Sequence, residues 1–286
     1  MIDFVKFQIE DVNIDEIQRN ELLNFIANLD MKTGEIKTKE IIAEYKNMKF
    51  IIKESKYLII QGSLHKYKNE GVHNFDKFNY SELANVLNDI SLKFNINLEK
   101  AKIQNIETGI NFCSTHSSNI ILMNLLYHGG KKFKDISIKN GNYRLVEHDR
   151  YYTKCYDKSL QNLLPFNLLR FELKYLKMYD LKKYEIKYLS DIMDKNKLNS
   201  LKELLLKDWK KTFLFDFTID QSQLNSNTKN KKLTQWSNPN YWLSLKKQNR
   251  SKQKKQYDEI VSKYSDRVHD EIGKVIYQEF NTMLIN

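Results

Sequence analysis

Three stretches of the chain alternate charged or hydroxyl-bearing residues with apolar ones at the period of a β-strand. In "RYYTKCYDKS" the residues Arg150, Tyr152, Lys154, Tyr156 and Lys158 fall on one face, because side chains two apart point the same way. In "KIQNIETGINF" the alternation sets Asn105, Glu107, Gly109 and Asn111 opposite Ile106, Thr108, Ile110 and Phe112. In "NLLRFELKYLK" it sets Arg170, Glu172 and Lys174 opposite Phe171, Leu173 and Tyr175. If these strands are neighbours, their polar faces converge on one site. Glu107 and Glu172 could then hold a hard divalent cation, Mg2+ or Mn2+, which prefers oxygen ligands. Lys154 and Lys158 would draw in a phosphate, and a tyrosine hydroxyl among cations ionises more readily than one in water. Together these groups describe attack by Tyr156 on a phosphodiester. Each residue type also has a plain structural use: tyrosine packs well in strands, and Glu172 between Arg170 and Lys174 can serve as a cross-strand ion pair.

The elements that must position these faces can be followed along the chain. "MIDFVKFQIEDV" alternates as a first strand, with acids too early for a signal peptide. "MKFIIKESKYLIIQGSLHKY" carries two β-rich runs broken at Glu54 and Ser55, a hairpin pattern. "NYSELANVLNDISLKF" spaces Leu83, Val86, Leu87, Ile90 and Phe94 helically, behind a capping-box pair of Asn79 and Glu82. "SSNIILMNLLYH" reads as a helix stopped by Gly129 and Gly130, and Asn140-Gly141 is a turn signal between two strand-like runs. The fold class expected is α+β, a mostly antiparallel sheet with helices packed on it. Past residue 180 the pattern turns helical, so a boundary is expected there, with residues 181–286 a basic helical extension.

Composition sets the partner class. Among 286 residues, 47 Lys and Arg outnumber 36 Asp and Glu, a net charge of +11 that favours a polyanion such as DNA. The extension concentrates Lys246, Lys247, Arg250, Lys252, Lys254 and Lys255 in one helix-like run after Trp236, Tyr241 and Trp242. Such a run either contacts phosphates while the aromatics stack on bases, or is a solvated face over a small core. Two cysteines without CxxC spacing suggest neither a disulfide framework nor a zinc knuckle, and a reducing cytoplasm is expected. No run has the ~18 apolar residues of a membrane span.

The segments "QGSLHKYKNEGVHNF", "IQNIETGINF", "YYTKCYDKS" and "LLRFELKYLK", in this order, resemble the gene II/X replication initiators of filamentous phages and their relatives, which are rolling-circle nicking and closing enzymes. The resemblance spans roughly residues 1–180, and "MIDFVKF" is similar to that family's opening strand. It implies an initiator-like nuclease domain over that span, with Tyr156 of "CYDK" as the nucleophile and Lys158 at a basic position beside it. It further implies acidic metal-site residues at Glu107 and at Glu172 of "RFE". Many rolling-circle initiators hold their cation through a His-hydrophobe-His triplet. This chain has none, which leaves His65 of "GSLHKY" as an isolated candidate ligand. Tyr151 and Tyr152 stand as alternative nucleophiles. Origin DNA, single-stranded or supercoiled, is the implied substrate, contacted by Arg150, Lys154, Lys246, Lys247, Arg250 and Lys254. Host replication proteins such as a helicase are the implied partners, in a bacterial cytoplasm. The alternative is a non-catalytic DNA-binding regulator that keeps the initiator fold. An RNA-binding module is a third reading, although no RRM-like aromatic run is present.

Overall fold

The structure, a computed structural model, describes residues 1–27, 30–35, 40–53, 56–138 and 141–285. Its strands are β1 (Ile2–Ile9), β2 (Glu40–Tyr45), β3 (Met48–Lys53), β4 (Tyr57–Ser63), β5 (Lys102–Phe112), β6 (Leu125–His128), β7 (Lys131–Lys132), β8 (Lys134–Ile138), β9 (Gly141–Glu147), β10 (Tyr151–Asp157), β11 (Leu169–Tyr175) and β12 (Thr212–Leu214). Nine of them form one sheet in the order β2-β3-β4-β1-β5-β11-β10-β9-β8, and every adjacent pair is antiparallel. The fold is thus α+β, as the alternating patterns require. The break at Glu54 and Ser55 lies outside the described residues, but the strands it joins pair as a hairpin. Asn140 is likewise outside them, and β8 and β9 meet around Gly141.

The apolar face of the sheet is covered by three helices, Tyr80–Lys93, Lys195–Trp209 and Val268–Ile285. Each turns one stripe inward, Leu83, Leu87 and Ile90 from the first, Leu198, Leu201 and Leu205 from the second, Ile272, Ile276 and Phe280 from the third. The first helix starts where its sequence dictates: the Asn79 side chain accepts from Glu82 N at 2.9 Å while the Glu82 carboxylate accepts from Asn79 N at 2.8 Å. On β5, Ile106, Thr108 and Ile110 are fully buried under this layer, and on β11 Phe171 meets Trp209 edge-on at 5.0 Å. The main apolar cluster therefore runs across the boundary expected at residue 180, because two of the three covering helices come from beyond it.

A second, smaller apolar cluster gathers Tyr127, Phe213, Trp236, Trp242 and Tyr257. It includes β6, which corrects one expectation. The segment expected as a helix over 117–128 is helical only at Ser118–Met123, and from Leu125 it is a strand between β12 and β7. Tertiary pairing with β12 decides this, since a four-residue apolar run fits either period and Asn124 closes the helix by donating to Ile120 O at 2.8 Å. Among the described residues no helix is long and apolar enough to cross a membrane.

Candidate active site

The register of the central strands brings the three polar faces together. Lys154 of β10 lies opposite Glu172 of β11, Tyr156 opposite Arg170, and on the other flank Lys174 lies opposite Glu107 and Arg170 opposite Asn111 of β5. Opposite charges directly across strands attract, and the side chains close accordingly. Lys154 Nζ bridges the two glutamates, 2.8 Å from Glu172 Oε1 and 3.4 Å from Glu107 Oε1. Lys174 Nζ is 2.7 Å from Glu107 Oε1. The Arg170 guanidinium, buried to 1 % exposure, gives Nε to Glu172 Oε2 at 2.6 Å and Nη1 to Asn111 Oδ1 at 2.8 Å.

Two residues that the sequence patterns did not single out complete this network. Asp3 of β1 faces Arg170, with Oδ2 3.2 Å from Nη2, and it accepts from the Ser63 hydroxyl and from Asn74 Nδ2. Asn74, in the segment after the short helix Leu64–Lys68, accepts in turn from Lys158 Nζ at 2.6 Å, and its carbonyl and that of Phe75 accept from Asn111 Nδ2. The alternation of "MIDFVKF" contained a signal for Asp3, an acid on a strand otherwise rich in apolar residues. Asn74 has no local signal, because only the folding of its loop over β5 gives it a role.

Tyr156 is half-buried and lines a small cleft of about 210 Å³ with Tyr143, Lys154, Gln161 and Glu172. Its hydroxyl is 3.3 Å from Glu172 Oε2, and its ring meets Tyr143 edge-on at 6.4 Å. Lys158 Nζ lies 5.4 Å from the centre of the same ring. The expectation that surrounding cations ease ionisation of this tyrosine is not met. Burial first, and the Glu172 charge second, push its pKa well above the usual value, and the opposing pull of Arg170 is weaker. Lys158 is 2 % exposed and finds two amide oxygens, Asn74 Oδ1 and Gln161 Oε1, in place of a carboxylate. Burial, then the Arg170 charge, lowers its pKa to about 8.

The two glutamates are pushed apart in acidity. Burial disfavours both charges, but Lys154 and Arg170 hold the Glu172 carboxyl well below the carboxylate range. Glu107 is shifted the other way, raised from its usual value by burial and then by the Glu172 charge, despite Lys154 and Lys174. Asp3, Glu107 and Glu172 each place a carboxylate oxygen within 4.8 Å of the others. An all-oxygen set of this kind suits a hard divalent cation. Arg170, Lys154 and Lys174 already pair with these three carboxylates, so an ion bound there would have to compete with them. Lys154 Nζ, between the two glutamates, already supplies one positive charge at that bridge.

Other expected site residues lie elsewhere. His65 is 2 % exposed, stacks on Phe78 and commits Nε2 to Asp76 Oδ1 at 2.6 Å, so it is not part of the three-carboxylate group. Burial is the main cause that lowers its pKa to about 3. Arg150 stands at the far end of β10, 2.8 Å from Asp180 Oδ1. Tyr151 points to the helical face, where Lys211 Nζ is 3.2 Å from its hydroxyl. In the helix Lys247–Tyr264, Arg250 is turned inward onto the Leu243 and Leu245 carbonyls and Lys254 pairs with Asp258, while Lys246 and Lys247 are exposed. Trp236 and Trp242 have no exposed surface, which assigns them to the second core and removes them as stacking platforms.

No protein-family model matches the chain, and no curated protein matches it. Among solved structures, the rolling circle replication initiator protein from Geobacillus stearothermophilus aligns with a TM-score of 0.46 at 10% identity, over 81% of this chain and 89% of that one.

Proposed function

We propose that the protein is a rolling-circle replication initiator of a phage or plasmid, which nicks and rejoins origin DNA through Tyr156. The observation that carries this reading is the half-buried Tyr156 hydroxyl, opening into a cleft beside Glu172 and the Lys154 bridge and within reach of the buried Lys158. In the nicking step Tyr156 Oη forms a bond to phosphorus and the bond from phosphorus to the 3′ oxygen breaks. Tyr156 donates to Glu172 Oε2 at 3.3 Å, which orients the hydroxyl; its proton passes to solvent in the cleft, since Lys154 and Arg170 hold Glu172 ionised, and the departing 3′ oxygen takes up a proton to become a hydroxyl. The DNA 5′ phosphate stays joined to the protein, and attack by a 3′ hydroxyl reverses the exchange. Because the phosphodiester is traded for a phosphotyrosine, closing needs no nucleotide cofactor.

The side chains divide the work. Lys158, with Asn74 and Gln161 holding its ammonium, places positive charge beside the reacting phosphate. Arg170 keeps Asp3 and Glu172 ionised in a buried setting and so preserves a donor set for Mg2+ or Mn2+. Such an ion, held by Asp3, Glu107 and Glu172, would supply Lewis-acid stabilisation of phosphate charge.

The experiment is an adduct assay on denaturing gels with single-stranded DNA and Mn2+, run on the wild type and on Tyr151→Phe, Tyr152→Phe and Tyr156→Phe. Tyr156→Phe should bind DNA as the wild type does and form neither adduct nor nick. Loss of the adduct in a neighbour instead would move the nucleophile there, and DNA binding without adduct in every protein would favour the regulator reading.

A further inference from the structure

A second cleft, rimmed by lysines, lies on the opposite side of the sheet from Tyr156. Tyr151 and Tyr175 point to the helical face, as do Thr153 and Phe171 between them and the active-site strands' polar residues. Beyond them a cleft of about 620 Å³ opens between the segment Met178–Tyr184 and the helix Lys195–Trp209. Its rim carries Lys182, Lys183, Lys207 and Lys211, all exposed. The two acids there are already engaged: Asp180 with Arg150 at 2.8 Å, and buried Asp208 with His128 and Lys211. The charge of Lys182, Lys183 and Lys207 is therefore left facing solvent. Tyr179 stands at the mouth, 62% exposed, with the Arg150 guanidinium 4.5 Å and Lys182 Nζ 5.7 Å from its ring centre, as Lys202 Nζ is 5.1 Å from that of Tyr277.

On the other flank of the helix Lys195–Trp209 a cleft of about 710 Å³ opens against the helix Val268–Ile285, and Leu204 and Lys207 line both clefts, so a strand following the two as one groove would cross that helix. That cleft adds Lys210 and Lys274, both exposed, and Tyr277, 47% exposed; its acids are Asp270, paired with Arg267 at 2.6 Å, and exposed Glu203, 3.7 Å from Lys202. Two clefts rimmed by an excess of cations, with an exposed tyrosine at each, match a flexible polyanion whose flat groups can stack. A rigid duplex has no free base faces to offer those tyrosines.

We propose that this groove binds a single-stranded DNA segment, separate from the strand held at Tyr156, and that Arg150 serves this groove and not the reacting phosphate. The inference rests on the nicking reading only for the choice of DNA as the polyanion. Lysines along the walls would hold phosphates, and Tyr179 and Tyr277 would take bases on their faces.

The test measures binding of a fluorescent 30-nucleotide single strand to the full chain at several salt concentrations, for the wild type, Lys182→Glu/Lys183→Glu/Lys207→Glu and Tyr179→Ala. All four positions are exposed, so folding is checked by thermal melting and expected to be unchanged. The triple variant should bind at least tenfold more weakly, with a salt slope lower by about 2, as loss of three phosphate contacts on a single strand requires. Tyr179→Ala should lose about tenfold with its slope unchanged. Adduct formation on a short oligonucleotide should persist in both variants. Wild-type affinity and slope in the triple variant would overturn the proposal, as would binding of anionic lipid vesicles in preference to DNA that the triple variant loses. A wild type that binds the strand through these lysines yet forms no adduct would leave the groove standing and sink the nicking reading alone.

Discussion

Lys158 is the residue whose environment makes the sharpest demand. A buried ammonium facing amide oxygens, with Arg170 near, is costly, and its pKa falls to about 8 for that reason. If its charge is needed at the phosphate, kcat/KM must fall as pH rises through about 8, because the free protein then loses the ammonium form. Lys158→Gln should cut the nicking rate by ~10²-fold and remove that inflection. A pH-rate profile of the two proteins checks this, and an unchanged inflection in the variant would take the titration away from Lys158. Glu107 is the complementary case, a carboxylate raised by burial and by Glu172. Mn2+ should raise the Tm of the wild type, since an ion that binds the folded state stabilises it. Glu107→Gln and Asp3→Asn should each lose most of that rise, whatever their activity. An equal rise in all three proteins would place the cation elsewhere.

Among the elements, β5 was the most legible. Its alternation named the buried face and the polar face correctly, and the register with β11 then set Glu107 against Lys174 and Asn111 against Arg170. The helix Tyr80–Lys93 was equally plain, since its cap and its apolar stripe agree. Leu125–His128 was not, because a short apolar run carries no period of its own and the partner strand lies more than 80 residues away. Asn74 was illegible as a site residue for the same reason, and Asp3 stood out only as an acid on an apolar strand: they meet Lys158 and Arg170 through loop closure and long-range pairing. Gly109 shows how tightly the elements fit. A Cβ there would sit 2.6 Å from Glu172 Cβ and 2.8 Å from Phe171 O, so β5 and β11 could not keep their register. Gly109→Ala should cost about 1–3 kcal/mol of stability by urea unfolding and should lower nicking further than that loss explains, by displacing Glu172. A fully stable and active variant would mean that the two strands can part without harm.

For the molecule as a whole, the charge excess of +11 lies outside the polar network of the central strands. One side of the sheet holds a buried, internally compensated network of three carboxylates, Arg170 and two lysines, with Tyr156 at its edge. The other side holds open lysines and tyrosines along the covering helices. The sequence left two readings of the basic run at the start of the helix Lys247–Tyr264, a DNA-binding arm with aromatic stacking groups or a solvated face over a small core. Folding draws Trp236 and Trp242 into a core and turns Arg250 inward. Burial of neighbours, which composition does not reveal, decided that difference. The account stands most directly on where DNA becomes attached. Wild-type protein incubated with single-stranded DNA and Mn2+, digested first with nuclease and then with trypsin, would be mapped by mass spectrometry. The account predicts a nucleotide-phosphate mass on the peptide that contains Tyr156, with fragment ions placing it on that side chain. The same mass on Tyr151, Tyr152 or a tyrosine outside β10 would contradict it.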